Sequence, residues 1–347
     1  MLGTKISLKY SVLIPILGFT LSSYSMVNFV FYSQYIDYSK VVDFILIGAP
    51  FIGRALTQIT YGILVSRVGI SRILYSSLGS MGLIDLFEYY TYDFDTLLVL
   101  RIIIGILFGL STSASVELAT ESKSNIIVGM TMGGWALGWV LAATTAFILE
   151  QRMLLASVVL IVIALPLLLK SSNLQTFIGG NKMNLAFSAE ALLIFLLGFE
   201  PAYILQVVPS LLGDGLSIQI SLIAYLISFA FYILFSILKD KIKTLIISSL
   251  IVGILGFLSF FLLIPWIFIP FTALGLGTNA ILPIIAKMTG IEPRRIGPSM
   301  NLASLSGFII PVGVELGNVL YNSAVLTLIT SIMLVTFVYL RTRASRY

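Results

Sequence analysis

The stretch "RIIIGILFGLSTSASVELATE" (Arg101–Glu121) carries a cation at one end, two carboxylates at the other and no charge between Arg101 and Glu117. As an α-helix it spans about 30 Å, the thickness of a bilayer's hydrocarbon core. Its apolar residues are continuous rather than alternating, which rules out a membrane β-strand, and only helices or closed barrels satisfy their backbone in lipid. The rest of the chain repeats this pattern. Of its 347 residues 59% are hydrophobic and 10% charged, with a mean hydropathy of +1.07. The predicted fold class is an all-α polytopic membrane protein.

Apolar runs place twelve transmembrane helices, near 9–33, 41–65, 71–91, 96–119, 124–149 and 152–170, then near 183–209, 217–238, 243–263, 265–287, 296–320 and 323–341. The first run is too long for a signal peptide and lacks a small-residue cleavage site, so it reads as a retained span. Most connections are short, which makes consecutive helices antiparallel neighbours. With the N- and C-termini cytoplasmic, 16 of the 20 Lys and Arg fall on the inner side, among them Arg67, Arg72, Lys123, Lys287, Arg294 and Arg295. The outer loops are instead acidic, at Asp37, Asp93, Asp95 and Asp214. This is the asymmetry of the positive-inside rule. The net charge of +5 therefore reports orientation and not nucleic-acid binding.

The longest polar break, "KSSNLQTFIGGNK" (Lys170–Lys182), divides the spans six and six. The expected organisation is an N-terminal six-helix bundle (1–170), a cytoplasmic linker (171–182) and a C-terminal six-helix bundle (183–347), related by a pseudo-two-fold axis. The chain has no cysteine and no histidine. Disulfides, Cys/His zinc sites and His-ligated haem are excluded, and neither a cofactor nor a metal is expected. Proton chemistry must use carboxylates, Tyr or Lys. No zincin pair or nucleotide-binding loop is present, so no enzyme is expected.

An ionisable residue inside a span costs at least about 2.5–3.5 kcal/mol near a helix centre and marks a candidate site. At 100° per residue, Gly105, Thr112 and Ser115 fall within about 40° of Arg101, whereas Glu117 lies about 160° away. Two roles stand open for Arg101: attraction of an anionic solute or a cavity acid, and structural bonding to neighbouring backbone. Arg54 sits mid-span with Thr57, Gln58 and Tyr61 on its face, and must meet a wet cavity or a paired acid. In "LGFEPAYILQ", Glu200 precedes Pro201, which removes a backbone donor and predicts a kink, with Tyr203 on the same side. Glu200 is the first candidate for proton coupling. Glu315, on a stripe with Asn301, Phe308 and Pro311, is the second. Asp85 and Glu88 read as solvated rim residues. Tyr24 and Asn28 in span 1 and Asn279 in span 10 offer hydroxyl and amide groups to a polar solute, or hydrogen bonds between packed helices.

Six plus six spans with basic turns after spans 2 and 8 resemble the major facilitator superfamily. The turn "GILVSRVG" (Gly62–Gly69) is similar to its G-x-x-x-D-R-x-G signature, with Ser66 in the place of Asp. Arg101, Gly105 and Gly109 are similar to its fourth-helix R-x-x-x-G-x-x-x-G element. "ELATESK", "GGWALGWVLAA" (Gly133–Ala143) and "IEPRRIGPSMNLAS" (Ile291–Ser304) resemble its branch of sugar porters and organic-acid:proton symporters. The resemblance implies a monomeric secondary transporter in the cell membrane, moving a small polar organic solute with protons by alternating access. It implies a cavity lined by helices 1, 4, 7 and 10. It also implies a cytoplasmic gate in which Glu117 and Glu121 latch to Arg67 or Arg72, with Asp240 and Arg295 serving the second half. Substrate contact is then expected at Tyr24, Asn28, Arg54, Gln58, Arg101, Tyr203 and Asn279. The competing readings are an exporter of amphipathic compounds and a non-transporting receptor or scaffold.

Overall fold

The structure is a computed structural model of the chain and describes residues 3–170, 188–204, 218–262, 265–307 and 319–344. The described residues form α1 (Gly3–Tyr32), α2 (Lys40–Val68), α3 (Ile70–Tyr89), α4 (Phe94–Glu121), α5 (Asn125–Leu149) and α6 (Val158–Lys170). They continue with α7 (Ala189–Ile204), α8 (Ile218–Ile237), α9 (Lys241–Leu262), α10 (Phe268–Thr278), α11 (Ile281–Met288), α12 (Pro293–Ala303) and α13 (Val319–Ala344). Short 3-10 turns lie at Ser33–Tyr35, Glu150–Ser157 and Pro265–Ile267. No strand occurs among the described residues. Six described stretches are long and apolar enough to cross a bilayer, and three shorter apolar helices accompany them.

Local chemistry sets the helix ends. The Asp93 carboxylate accepts from Thr96 N at 2.9 Å and so caps α4, filling one of the donors that a helix start leaves open. Gly69 joins α2 to α3 at φ 89°, ψ 149°, a conformation that a side chain disfavours. The tenth expected span is not one helix. It breaks at Asn279–Ala280, where the amides bond three residues back, to Leu276 O and Gly277 O. Pro283 explains the break, because it offers no amide to residue 279 and its ring crowds that carbonyl. Pro201, in contrast, does not end α7, which continues to Ile204.

Large apolar side chains cover the outside, as at Phe147 (80% exposed) and Val162 (63%), while Arg54, Asp85, Glu88 and Arg101 are buried. That inversion suits a solvent of lipid. The first six helices pack as α1 on α5, α2 on α4 and α3 on α6. The later helices repeat the scheme as α7 on α12, α8 on α10 and α9 on α13. Between the two sets, α5 lies against α8, and α12 lies against α2 and α4.

Glycines permit the tightest of these approaches. A Cβ on Gly105 would run into the Pro50 carbonyl, and one on Gly53 into the Ile102 carbonyl, so α2 and α4 meet backbone to backbone. Gly134 and Gly138 admit α1 against α5 in the same way, at Thr20 and at Ser23 and Tyr24. Gly79 differs, since a Cβ there would meet Ala164 Cβ at an ordinary 3.5 Å. Gly105→Leu should therefore lower the thermal unfolding midpoint in detergent, at a cost of about 1–3 kcal/mol or more. Gly79→Ala should leave the midpoint unchanged. Equal midpoints for both variants would show that the α2–α4 contact does not hold the fold.

Candidate transport site and the seal between the halves

The buried polar groups gather at two places. The first lies between the halves. Arg54 on α2 donates through Nε to Asn301 Oδ1 on α12 at 2.6 Å. Thr112 Oγ1 donates to the same oxygen at 3.2 Å. The Asn301 amide nitrogen donates to Gly109 O and to Ser113 Oγ, both at 2.8 Å. Both donors and both acceptor positions of one fully buried amide are thus used, all toward α2 and α4. The Arg54 guanidinium carbon also lies 4.8 Å from the centre of the Phe108 ring. Such a cation over an aromatic face is attracted by the ring's quadrupole.

The contact continues toward the ends of α2 and α4. Arg294 Nη2 donates to Gly62 O at 2.8 Å, and Lys287 Nζ donates to Thr120 O. A Cβ on Gly297 would lie 2.6 Å from Ser113 Cα, so α12 meets α4 without room for a side chain. On the other flank, Gly129 and Gly133 of α5 receive Tyr232, Ser236 and Phe229 of α8. Further along, Trp139 stacks on Tyr225, with centroids 4.8 Å apart and planes 5° apart. Trp139 belongs to a row of edge-on rings, Phe19–Phe108–Trp135–Trp139, which Phe31 joins from the side.

The second place lies inside the first half, at the opposite end of α4. Arg101 is fully buried and donates to Met26 O at 2.9 Å and Leu46 O at 3.3 Å. Its Nη1 lies 3.7 Å from Glu88 Oε2, and its guanidinium carbon lies 4.6 Å from the Phe29 ring centre. This is the structural role for Arg101, carried by backbone and an acid. Asp85 and Glu88 are not solvated rim residues, because both are fully buried. They lie three apart on α3, on the face turned to α1 and α4, where a helix brings i and i+3 together.

The expected site residues divide accordingly. Arg54 stands at the junction of the halves, with Gln58 half-buried one turn further on. Tyr24 and Asn28 turn into the first half, where Asn28 Nδ2 donates to Ser157 Oγ at 3.0 Å. Tyr24 is buried with Val27, Ala142 and Leu160, beside Trp139. Asn279 is buried at the break between α10 and α11, with its Oδ1 unpartnered. Glu200 and Tyr203 lie on the α7 backbone, but their side chains, like the whole of Glu315, lie outside the described residues.

At the end of α4, Glu117 is buried and accepts from Tyr61 Oη at 2.5 Å. It is not paired with Arg67 or Arg72, which are exposed, as is Glu121. Asp240 caps α9 by accepting from Lys243 N at 2.9 Å. Arg295 pairs at 3.2 Å with Glu292 of its own half. Among the described residues, the later helices' side chains that bond across to α2 and α4 are instead Lys287, Arg294 and Asn301. Sequence reasoning placed Asn301 only as a neighbour of Glu315. The available signal was an amide among small and apolar neighbours in "SMNLAS" (Ser299–Ser304). Among the described residues no three acidic groups gather as metal ligands.

No protein-family model and no curated protein matches the chain. Its structure is similar to the crystal structure of a major facilitator superfamily transporter, FucP, in the outward conformation, at a TM-score of 0.70 and 13% identity. The match covers 95% of this chain and 99% of that one. With the apolar exterior and the long apolar helices, the likeness makes this a multi-pass membrane protein with the fold of a major facilitator superfamily transporter.

Proposed function

We propose that the protein is a secondary active transporter of the cell membrane, moving a small polar organic solute by alternating access with proton coupling. The observation that carries this reading is the nature of the contact between the halves. It is closed by hydrogen bonds from Asn301, Arg294 and Lys287 and by small-residue contacts, set within an apolar core that both halves share. Each such bond contributes only about 1 kcal/mol net, and up to about 3 where a charge is involved, because water replaces it on opening. A seal of this kind can open and close, as rocking of two bundles about a central site requires.

The geometry bears on the solute class. Arg101 bonds Glu88 and two backbone carbonyls, which leaves Arg54 as the buried guanidinium at the junction. The aromatic row and the buried amides and hydroxyls favour a hydroxylated ring, a sugar, over a free carboxylate, since ring faces stack on apolar sugar faces while amides bind hydroxyls. Export of an amphipathic compound is the second reading, favoured by the same rings. The monomer is taken as the working unit.

Two experiments test this. The chain has no native cysteine, so Thr120→Cys gives a single label site at the closed end, where Thr120 is fully buried. Asn301→Ala should speed labelling of that cysteine by a membrane-impermeant maleimide by about tenfold or more, the loss expected for a few such bonds. Unchanged labelling would show that Asn301 does not hold the seal. In liposomes the purified protein should take up a labelled sugar when driven by a pH gradient. Glu200→Gln should abolish that driven uptake and retain counterflow. If both activities survive the substitution, Glu200 is not the coupling acid.

A further inference from the structure

The buried charges of the first half do not balance. Asp85 and Glu88 bring two negative charges and Arg101 one positive charge into a region with no solvent contact. Arg101 is shared between an ion pair with Glu88 at 3.7 Å and two backbone carbonyls, and its Nη1 makes no hydrogen bond. Asp85 is left with both carboxylate oxygens lacking a hydrogen-bond partner. Around it stand Ser25 and Ser157, whose hydroxyls face its carboxylate. Ser157 Oγ in turn accepts from Asn28.

Two neutral oxygens of this cluster are orphaned as well. Ser25 Oγ and Asn28 Oδ1 belong to fully buried residues and have no partner. Buried polar atoms are nearly always satisfied, so a group of orphaned oxygens round one unpaired carboxylate calls for a ligand. We propose that Asp85, with Ser25, Asn28 and Ser157, forms a sodium-ion site in the first half.

Charge and donor type select the ion. One positive charge brings the cluster to neutrality, and two would overshoot it. The donors are all oxygen, the preference of hard cations. A proton on Asp85 would occupy one oxygen and give one donor, whereas sodium draws in several oxygens at once, including the Asn28 carbonyl oxygen. The few donors suit the smaller sodium over potassium. The titratable groups facing the site are Glu88 on α3, Arg101 on α4, and Tyr24 and Tyr32 on α1. The site lies at the end of α1, α3 and α4 away from the seal, and binding there does not depend on the identity of the transported solute.

The test uses the purified full chain in detergent, with NaCl compared against KCl at equal ionic strength and fixed pH. The unfolding midpoint should rise with the logarithm of sodium concentration, as for any ligand bound only by the folded state. Asp85→Asn should remove the rise. Ser25→Ala, a milder change that keeps the proposal testable if Asp85→Asn does not fold, should weaken the apparent sodium affinity by about tenfold or more, as even outer partners of bound metals do. The proposal is overturned if NaCl and KCl give the same midpoint at every concentration. It is also overturned if the sodium effect persists undiminished in both variants. If pH alone moves the midpoint and Asp85→Asn removes that dependence, the ligand is a proton and the sodium site does not exist.

Discussion

One amide ties the two halves together. The Asn301 amide spends both donors and its oxygen on the opposite half, through the Gly109 carbonyl, Ser113 and Arg54, with Thr112 close by. The constraint behind this is the absence of water within hydrocarbon, where an unsatisfied polar group costs several kcal/mol. Arg54 cannot sit in the middle of α2 unless something accepts from it. Asn301 cannot sit in α12 unless something surrounds its amide. Each resolves the other's cost, but only while α12 lies against α2 and α4. The polar groups therefore define the closed arrangement, in a way that apolar surfaces, which fit many partners about equally well, do not.

The same constraint explains what the glycines do. Gly105 and Gly53 bring the backbones of α2 and α4 together, and Gly109 lets Thr57 pack against α4. Without that proximity, Arg54 on α2 and Thr112 and Ser113 on α4 could not reach one amide. Gly297 performs the matching service on α12, against Ser113. The small residues of the fourth and eleventh expected spans are thus positioning devices for a polar junction, and not solute contacts.

Much of the fold was legible because lipid imposes long apolar runs, and each run predicted from the sequence contains a described helix. The break in the tenth was not anticipated, although Pro283 carries its cause. Arg54 was readable as a residue needing a buried partner, since its position mid-span left no other option. Its partner was not, because an amide has no charge to announce it, and Asn301 lies 247 residues away. Asp85 and Glu88 were misplaced for a different reason. Proximity to a helix end predicts solvation only where nothing covers that end, and here α1 and the turn Glu150–Ser157 cover it. The pairing of Glu88 with Arg101 is a tertiary fact, decided by which faces of α3 and α4 meet. A basic turn was expected to meet the acids of α4, and the cations that cross are Lys287 and Arg294 of the other half, not Arg67 and Arg72.

Helix α4 joins these features mechanically. Its 28 residues carry Arg101 near one end, the Asn301 partners at its middle and Glu117 and Thr120 at the other. Its contact with α2 is backbone to backbone at Gly53 and Gly105, where no rotamer change can loosen it. Arg101 adds bonds to α1 and α2 through Met26 and Leu46. Helices α1, α2 and α4 must then move as one body, and sliding between them would have to break carbonyl contacts that have no replacement in lipid. Across the halves, hydrogen bonds that water in an opening cleft can replace one by one are set in a shared apolar core. In the proposed rocking, the plane of opening is the face of α12 on α2 and α4, matched on the other flank by α8 on α5. The buried charges round Arg101 tie α1, α2, α3 and α4 together on one side of that plane.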